Sequence, residues 1–194
     1  MKEVFYEESA TIQNVRGANA KYNTIKAFSI ISYVIAVIWV IIGFNTPLVD
    51  NFLINLIVIG VPIIIFLVTG ILLGRLKNKF YVDYDYTFVT GSIRISKVIK
   101  NIKRKFVIKF DTDNVERIGK YGSDTFYKYE IMPGIKKHVF TSNYVCSEGK
   151  DFYYLVANVE GDKHLMTLEC TETFIVNILK FSNKTVLEEE FYKK

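Results

Sequence analysis

AFSIISYVIAVIWVIIGFNTPLV at 27–49 and NFLINLIVIGVPIIIFLVTGILLG at 51–74 are separated by one charged residue, Asp50. Neither run contains Asp, Glu, Lys, Arg or His. Each exceeds the roughly 18 residues that mark a membrane span, and at about 1.5 Å per residue each reaches across the hydrocarbon. A buried helix of a water-soluble core does not need two such runs in succession. The pattern predicts a two-helix membrane hairpin over 27–74, an N-terminal segment over 1–26 and a larger remainder over 75–194.

The flanking charges orient that hairpin. Arg16, Lys21 and Lys26 precede the first run, and Arg75, Lys77 and Lys79 follow the second. The connection around Asn45-Thr46-Pro47 carries no cation. Positive flanks stay cytoplasmic, so the expectation is a cell-membrane protein with two spans, both termini in the cytoplasm and the Pro47 loop outside. A cleaved signal peptide fits poorly: the leader contains Glu3, Glu7 and Glu8, the apolar run is too long, and no small-residue cleavage site follows. Pro62 lies inside the second run, where a missing backbone donor predicts a kink. Gly70 and Gly74 form a GxxxG pair, as Ser32 and Ala36 form a small-xxx-small pair, so these are candidate helix-packing positions and one route to a homo-oligomer. With no charge inside either span, ion or proton transport by this chain alone is disfavoured.

After Gly74 the period changes. Phe80–Val89 alternates apolar and polar residues as a half-buried strand does, Gly91-Ser92 reads as a turn, and Ile93–Ile99 as a second strand. Lys103–Phe110 follows, with Arg104, Phe106, Ile108 and Phe110 expected on one face. A loop between Gly119 and Gly122, short strands at Phe126–Met132 and His138–Thr141, and a hairpin around Glu160-Gly161-Asp162 between Phe152–Val159 and His164–Glu169 complete the β-rich part. Thr171 then caps an amphipathic helix with Glu172 in its first turn, Lys180 in its last, and Phe174, Ile175, Ile178 and Leu179 on one stripe. The fold class expected is α+β: an N-terminal transmembrane hairpin plus a small barrel or bent sheet closed by a C-terminal helix.

That order resembles the pleckstrin-homology-like (PH-like) superfold, and the chain resembles a family of uncharacterised bacterial two-helix membrane proteins with a cytosolic PH-like domain. The residues carrying the resemblance are Tyr84–Ile93, Ile99–Phe110, Asp113–Ile118 and the stretch from Phe152 to Phe181. It implies a fold and a topology, and no reaction. The basic loop with which eukaryotic PH domains hold inositol phosphates has no counterpart that aligns here.

The strongest local signal is electrostatic. Ten Lys or Arg residues lie between Arg75 and Lys109 against only Asp83 and Asp85, whereas the chain from Phe110 onward is net acidic. A basic cluster beside a bilayer gains about 1 kcal/mol per cation near anionic headgroups. Lys100, Lys103, Arg104 and Lys105 are therefore candidate contacts to anionic lipid, the alternative being an ordinary solvated turn. Nucleic acid is disfavoured as a partner, because Phe106 and Phe110 share a face with Ile108 and are expected in the core.

Catalytic chemistry is not legible. His138 and His164 have no partners at metal-ligand spacing, and Cys146 and Cys170 stand 24 positions apart without a CxxC or an adjacent His. Asp111-Thr112-Asp113-Asn114 starts like a calcium loop but lacks the glycine and the closing glutamate, so it reads as a turn. Tyr81, Tyr84 and Tyr86 are expected at the membrane interface. The reading is a non-enzymatic, membrane-anchored PH-like binding or scaffolding module without a cofactor. Its partners are expected to be the bilayer and an unidentified protein; the alternative is a structural or accessory subunit of a larger membrane complex.

Overall fold

The computed structural model describes residues 3–46 and 51–188. The Pro47 loop, Asp50 and the tail after Glu188 lie outside the described residues. The chain divides into two compact units, residues 14–81 and residues 1–13 with 82–194.

The first unit is a helical hairpin. Helix α1 (Val15–Asn45) begins where the Asn14 side chain accepts the Gly17 N–H at 2.8 Å, so the helix takes in the polar stretch before residue 27. Helix α2 (Phe52–Asn55) starts on the Asn51 side chain, which accepts from Leu53 N–H, and continues through a π-helical stretch, Leu56–Gly60, into α3 (Val61–Leu76). Pro62 sits in the first turn of α3 and has no N–H to give. In the π stretch just before Pro62, Val61 N–H bonds Leu56 C=O, five residues back.

Helices α1 and α3 meet through small residues. The Ser29 hydroxyl donates to the Gly70 carbonyl at 2.8 Å, and a Cβ at Gly70 would stand 2.7 Å from the Tyr33 ring. A Cβ at Gly74 would stand 3.4 Å from Ser29 Oγ. Ser32 and Ala36 are buried too. Helix α1 and the continuous helical stretch Phe52–Lys79 are long and apolar enough to cross a membrane, yet only 17% and 6% of their most apolar windows are buried. A core helix of a water-soluble protein would be the reverse.

The second unit has two four-stranded sheets. The first, in the order β1-β2-β3-β4, is antiparallel throughout and comprises β1 (Phe5–Ala10), β2 (Val82–Val89), β3 (Ser92–Ile99) and β4 (Lys103–Asp111). The second comprises β5 (Val115–Lys120), β6 (Lys136–Phe140), β7 (Asp151–Val159) and β8 (Asp162–Cys170) in the order β5-β7-β8-β6, with β6 parallel to β8. Three tight turns carry two successive residues of positive φ, Thr90-Gly91, Lys100-Asn101 (with Ile102 completing a three-residue connection) and Glu160-Gly161, a geometry that matches strand twist in tight hairpins. Between the sheets lies a core of Tyr86, Phe88, Ile93, Ile95, Leu155, Met166 and Leu168, closed by α5 (Glu172–Phe181) through Phe174, Ile175 and Ile178.

Five expectations need correction. Residues 1–26 are not a segment apart: Phe5–Ala10 pairs with β2 from Phe5↔Val89 to Ala10↔Tyr84, while Val15 onward belongs to the hairpin. A strand whose partner is some 75 positions away leaves little local signal. The stretch Phe126–Met132 is not a strand; α4 (Asp124–Glu130) forms there, with the Ser123 hydroxyl accepting the Phe126 N–H. Its aromatic residues gave β propensity, but Phe126 and Tyr129 on one helical face pack over Tyr154, Val156 and Leu165, and that burial decides. Gly119 lies within β5, where a Cβ would strike the Glu188 carboxylate and stand 2.5 Å from the Tyr154 ring. Thr171 occupies the cap position of α5 without capping it.

The last correction concerns β4. Ile95 faces Ile108 but the next residue, Ser96, faces Phe106, so Val107 is an extra residue in a β-bulge. The bulge flips the alternation. Ile108 and Phe110 are buried, whereas Arg104 and Phe106 turn to the outer face, and Phe106 is 56% exposed.

Candidate functional site

Strand register places the basic turn at a particular end of the first sheet. Ala10 ends β1 opposite Tyr84, Val82 starts β2 opposite Ile99, and Ile99 faces Lys103. The chain thus leaves for the hairpin and returns from it at the same end of the sheet that carries the β3–β4 turn. At that turn Ile102 is 83% exposed, with Lys103 and Lys105 also exposed and Lys105 opposite Lys97.

Of the four expected basic contacts, Lys100, Lys103 and Lys105 gather at this tip and Arg104 does not. The bulge and the strand alternation send Arg104 to the outer face, where its guanidinium lies 2.6 Å from Asp85 and 3.5 Å from Glu7. Asp85 is 5% exposed and also accepts from Ser9 Oγ at 2.7 Å, so Arg104 is neutralised within the sheet. No local pattern hints at this, because both acids sit on other strands. The tyrosines expected at the interface are placed otherwise: Tyr86 is fully buried and donates to the Phe140 carbonyl, Tyr84 packs edge-on against Phe140, and Tyr81 is buried.

Three buried carboxylates organise the domain, none of them evident in the sequence. Glu169, fully buried, accepts from the Ser147 N–H at 2.9 Å, Ser147 Oγ at 2.6 Å, Asn143 Nδ2 at 2.8 Å and the Thr141 hydroxyl. Burial pushes its pKa up, but these hydrogen bonds outweigh burial and hold it below the ordinary carboxylate value. Asn143 also donates to Thr11 C=O and accepts from Gln13 N–H, tying the loop after β6 to the chain just before α1. Glu8 accepts from Thr171 N–H and Oγ, both at 2.9 Å, and pairs with Lys150 at 3.2 Å. The Thr171 hydroxyl is spent there, which explains the missing cap. Glu188 accepts from Ser123 Oγ and from Tyr154 Oη at 3.2 Å, and burial first and this carboxylate second push the Tyr154 phenol well above its usual value. Partners up to 163 positions apart leave no spacing motif.

His138 and His164 meet edge to edge, with Nε2 and Nδ1 2.9 Å apart, across the β6–β8 pair. Burial lowers both pKa values and nearby cationic groups lower them further, so both rings are neutral near pH 7. Burial also pushes the Cys146 and Cys170 thiols up, the opposite of what an activated thiolate needs. The Asp111–Asn114 stretch forms a short 3-10 turn, with Thr112 Oγ1 donating to Phe181 C=O and Asp113 accepting from Asn183. Among the described residues no three His, Cys, Asp or Glu side chains are grouped to hold a metal ion.

On the outer face of the second sheet, beside α4, an aromatic-lined recess of about 380 Å³ opens between Tyr121, Val139, Thr141, Tyr144, Phe152 and Thr167. Tyr144 is fully exposed and Val139 62% exposed.

Two four-stranded sheets closed by a C-terminal helix fit a PH-like domain. The chain belongs to the bacterial PH-like domain family (DUF6106), whose family model matches residues 13–188, hairpin included. No curated protein and no solved structure matches it.

Proposed function

We propose that this chain is a membrane-anchored binding module. Its hairpin crosses the cell membrane twice with both termini in the cytoplasm, its β3–β4 tip rests on the inner leaflet, and its β domain presents a surface to a protein partner. The observation that carries the reading is the register of the first sheet: the strands flanking the hairpin, β1 and β2, are neighbours, which supports a chain that returns to the side it left. That same end carries Ile102, Lys100 and Lys103. An exposed aliphatic side chain ringed by lysines suits an anionic headgroup layer. Cleavage after α1 is a poor alternative, because it would remove an integral strand of the domain.

The aromatic recess beside Tyr121 and Tyr144 is the candidate surface for a peptide or protein partner. Confinement to a membrane would raise its effective concentration toward membrane-bound partners. The reading as a structural subunit joined through Gly70 and Gly74 is weaker, since the hairpin already uses Gly70 against Ser29 and Tyr33.

The test is a bimane-labelled Ile102→Cys variant of the full chain in nanodiscs. Emission should shift to the blue with phosphatidylglycerol relative to phosphatidylcholine, and Lys103→Glu with Lys105→Glu should abolish the difference. Identical spectra in both lipids would remove the tip contact. A carboxyl-terminal tag cut by protease outside intact cells would remove the topology.

A further inference from the structure

The β4 bulge that withdraws Arg104 from the tip also sets up a second basic position on the outer face of the first sheet. Across the four strands one row reads Glu7, Thr87, Arg94, Lys109, and the adjoining row reads Phe5, Val89, Ser92, Asp111. Arg94 and Lys109 are directly opposite one another. Like charges in that relation destabilise a sheet unless an anion compensates them. Among the described residues neither cation has an ion-pair partner, although Glu7 and Asp111 occupy the same rows. Glu7 instead leans to Arg104 at 3.5 Å.

Two further features mark the position as a receptor. The Arg94 guanidinium lies 5.2 Å from the centre of the Phe106 ring, the ring that the bulge turned outward. Stacking of this kind holds the planar fork in place and leaves its edge N–H groups available for a bidentate acceptor. The Ser92 hydroxyl oxygen is shielded from solvent and has no hydrogen-bond partner. A shielded hydroxyl without a partner calls for one. Ser92, Arg94, Lys109, Thr87 and Val89 line one recess of about 300 Å³.

We propose that this recess binds a single phosphate group, with the Arg94 fork and the Lys109 ammonium supplying charge and the Ser92 hydroxyl a further donor. The acids in the bordering positions, Glu7 and Asp111, limit the ligand to one phosphate, because a polyphosphate chain would run into one of them. The recess lies several residues along β3 and β4 from the Lys100 turn, so it is distinct from the tip, and it does not depend on the membrane reading.

The experiment uses the full chain in phosphatidylcholine nanodiscs and compares inorganic phosphate with chloride at equal ionic strength. Phosphate should raise the thermal midpoint more than chloride does. Arg94→Gln and Lys109→Gln should each weaken the apparent phosphate affinity by about tenfold, the loss expected for a charge-assisted contact, and Ser92→Ala by less. Lys128→Gln, on exposed α4, should leave it unchanged. A second arm places phosphatidic acid in the nanodisc without free phosphate. Stabilisation there that is lost in Arg94→Gln identifies a lipid monoester as the source, and stabilisation by free phosphate alone identifies a soluble one. Equal responses to phosphate and chloride, or a phosphate response retained in the Arg94→Gln/Lys109→Gln double variant, would overturn the site.

Discussion

The helical hairpin and the β domain are built inside out relative to each other. In the hairpin the buried residues are Ala18, Ser29, Ser32, Ala36 and Gly70, while Ile30, Val34, Ile38, Ile64, Val68 and Leu72 are exposed. In the β domain Tyr86, Phe88, Ile93, Leu155 and Phe174 are buried, and the carboxylates that are buried with them, such as Glu8 and Glu169, are held by hydrogen bonds. Water drives the second arrangement by expelling apolar area at roughly 25 cal/mol per Å². It cannot drive the first. Where the surroundings are themselves apolar, helices gain by close approach and by hydrogen bonds such as that from Ser29 to Gly70, so small residues move to the interface. The contrast teaches that the two units follow opposite interior rules, the hairpin's being the one that suits apolar surroundings.

Removing residues 1–13 should break the comparison most severely. It deletes β1 together with the Glu8 contacts to Thr171 and Lys150, and the remaining β domain should be digested by trace protease rather than merely loosened. Joining residues 1–13 to 82–194 by a short flexible linker should restore a protease-resistant, detergent-free domain. If the chain lacking residues 1–13 resists protease equally well, β1 is not integral.

Next in size are substitutions that exchange the two interior rules. Phe88→Ala, in the β domain, should cost about 3–5 kcal/mol in chemical denaturation. Gly70→Val should cost about 1–3 kcal/mol of helix pairing by overpacking, read as lost excimer fluorescence from pyrene labels on α1 and α3, with the β-domain transition unmoved. Ile64→Leu on the exposed hairpin surface should change neither by more than about 0.5 kcal/mol.

Acid should separate the units as well, because the titrating networks described here belong to the β domain. His138 and His164 have folded pKa values below their ordinary 6.5, so the unfolded chain binds protons first and their contribution fades as pH falls below that value. Glu169 is held below its ordinary 4.5, so its contribution is complete above that value and lost as pH falls through the lower folded one. Asp83, raised mainly by burial, works the other way and softens the decline. Urea midpoints between pH 7 and 3 should fall, and Glu169→Gln, costing about 2–4 kcal/mol at neutral pH, should flatten the lower part of the curve. A hairpin signal that tracked the same curve would argue against separate units.

Local pattern carried much of this architecture. The lengths of the two apolar runs, the strands β2, β3, β7 and β8, the Glu160-Gly161 turn and the apolar face of α5 all follow from the periodicity of neighbouring residues, which is a property of the chain itself. The site was less legible. Lys100, Lys103 and Lys105 stayed at a turn as their positions implied, but Arg104 and Phe106 were turned over by one extra residue in β4, and a bulge is fixed by what the facing strand must bury. Glu8, Glu169 and Glu188 look like any surface glutamate until chain segments tens of residues away supply their donors. What the sequence by itself determined is which segments prefer oil, which alternate and which turn, because those preferences are local free energies. Only the tertiary structure decided that β1 joins β2 across the hairpin, that Arg104 is neutralised while Arg94 and Lys109 face each other, and that Ser92 lacks a partner, because each depends on contacts between residues distant along the chain.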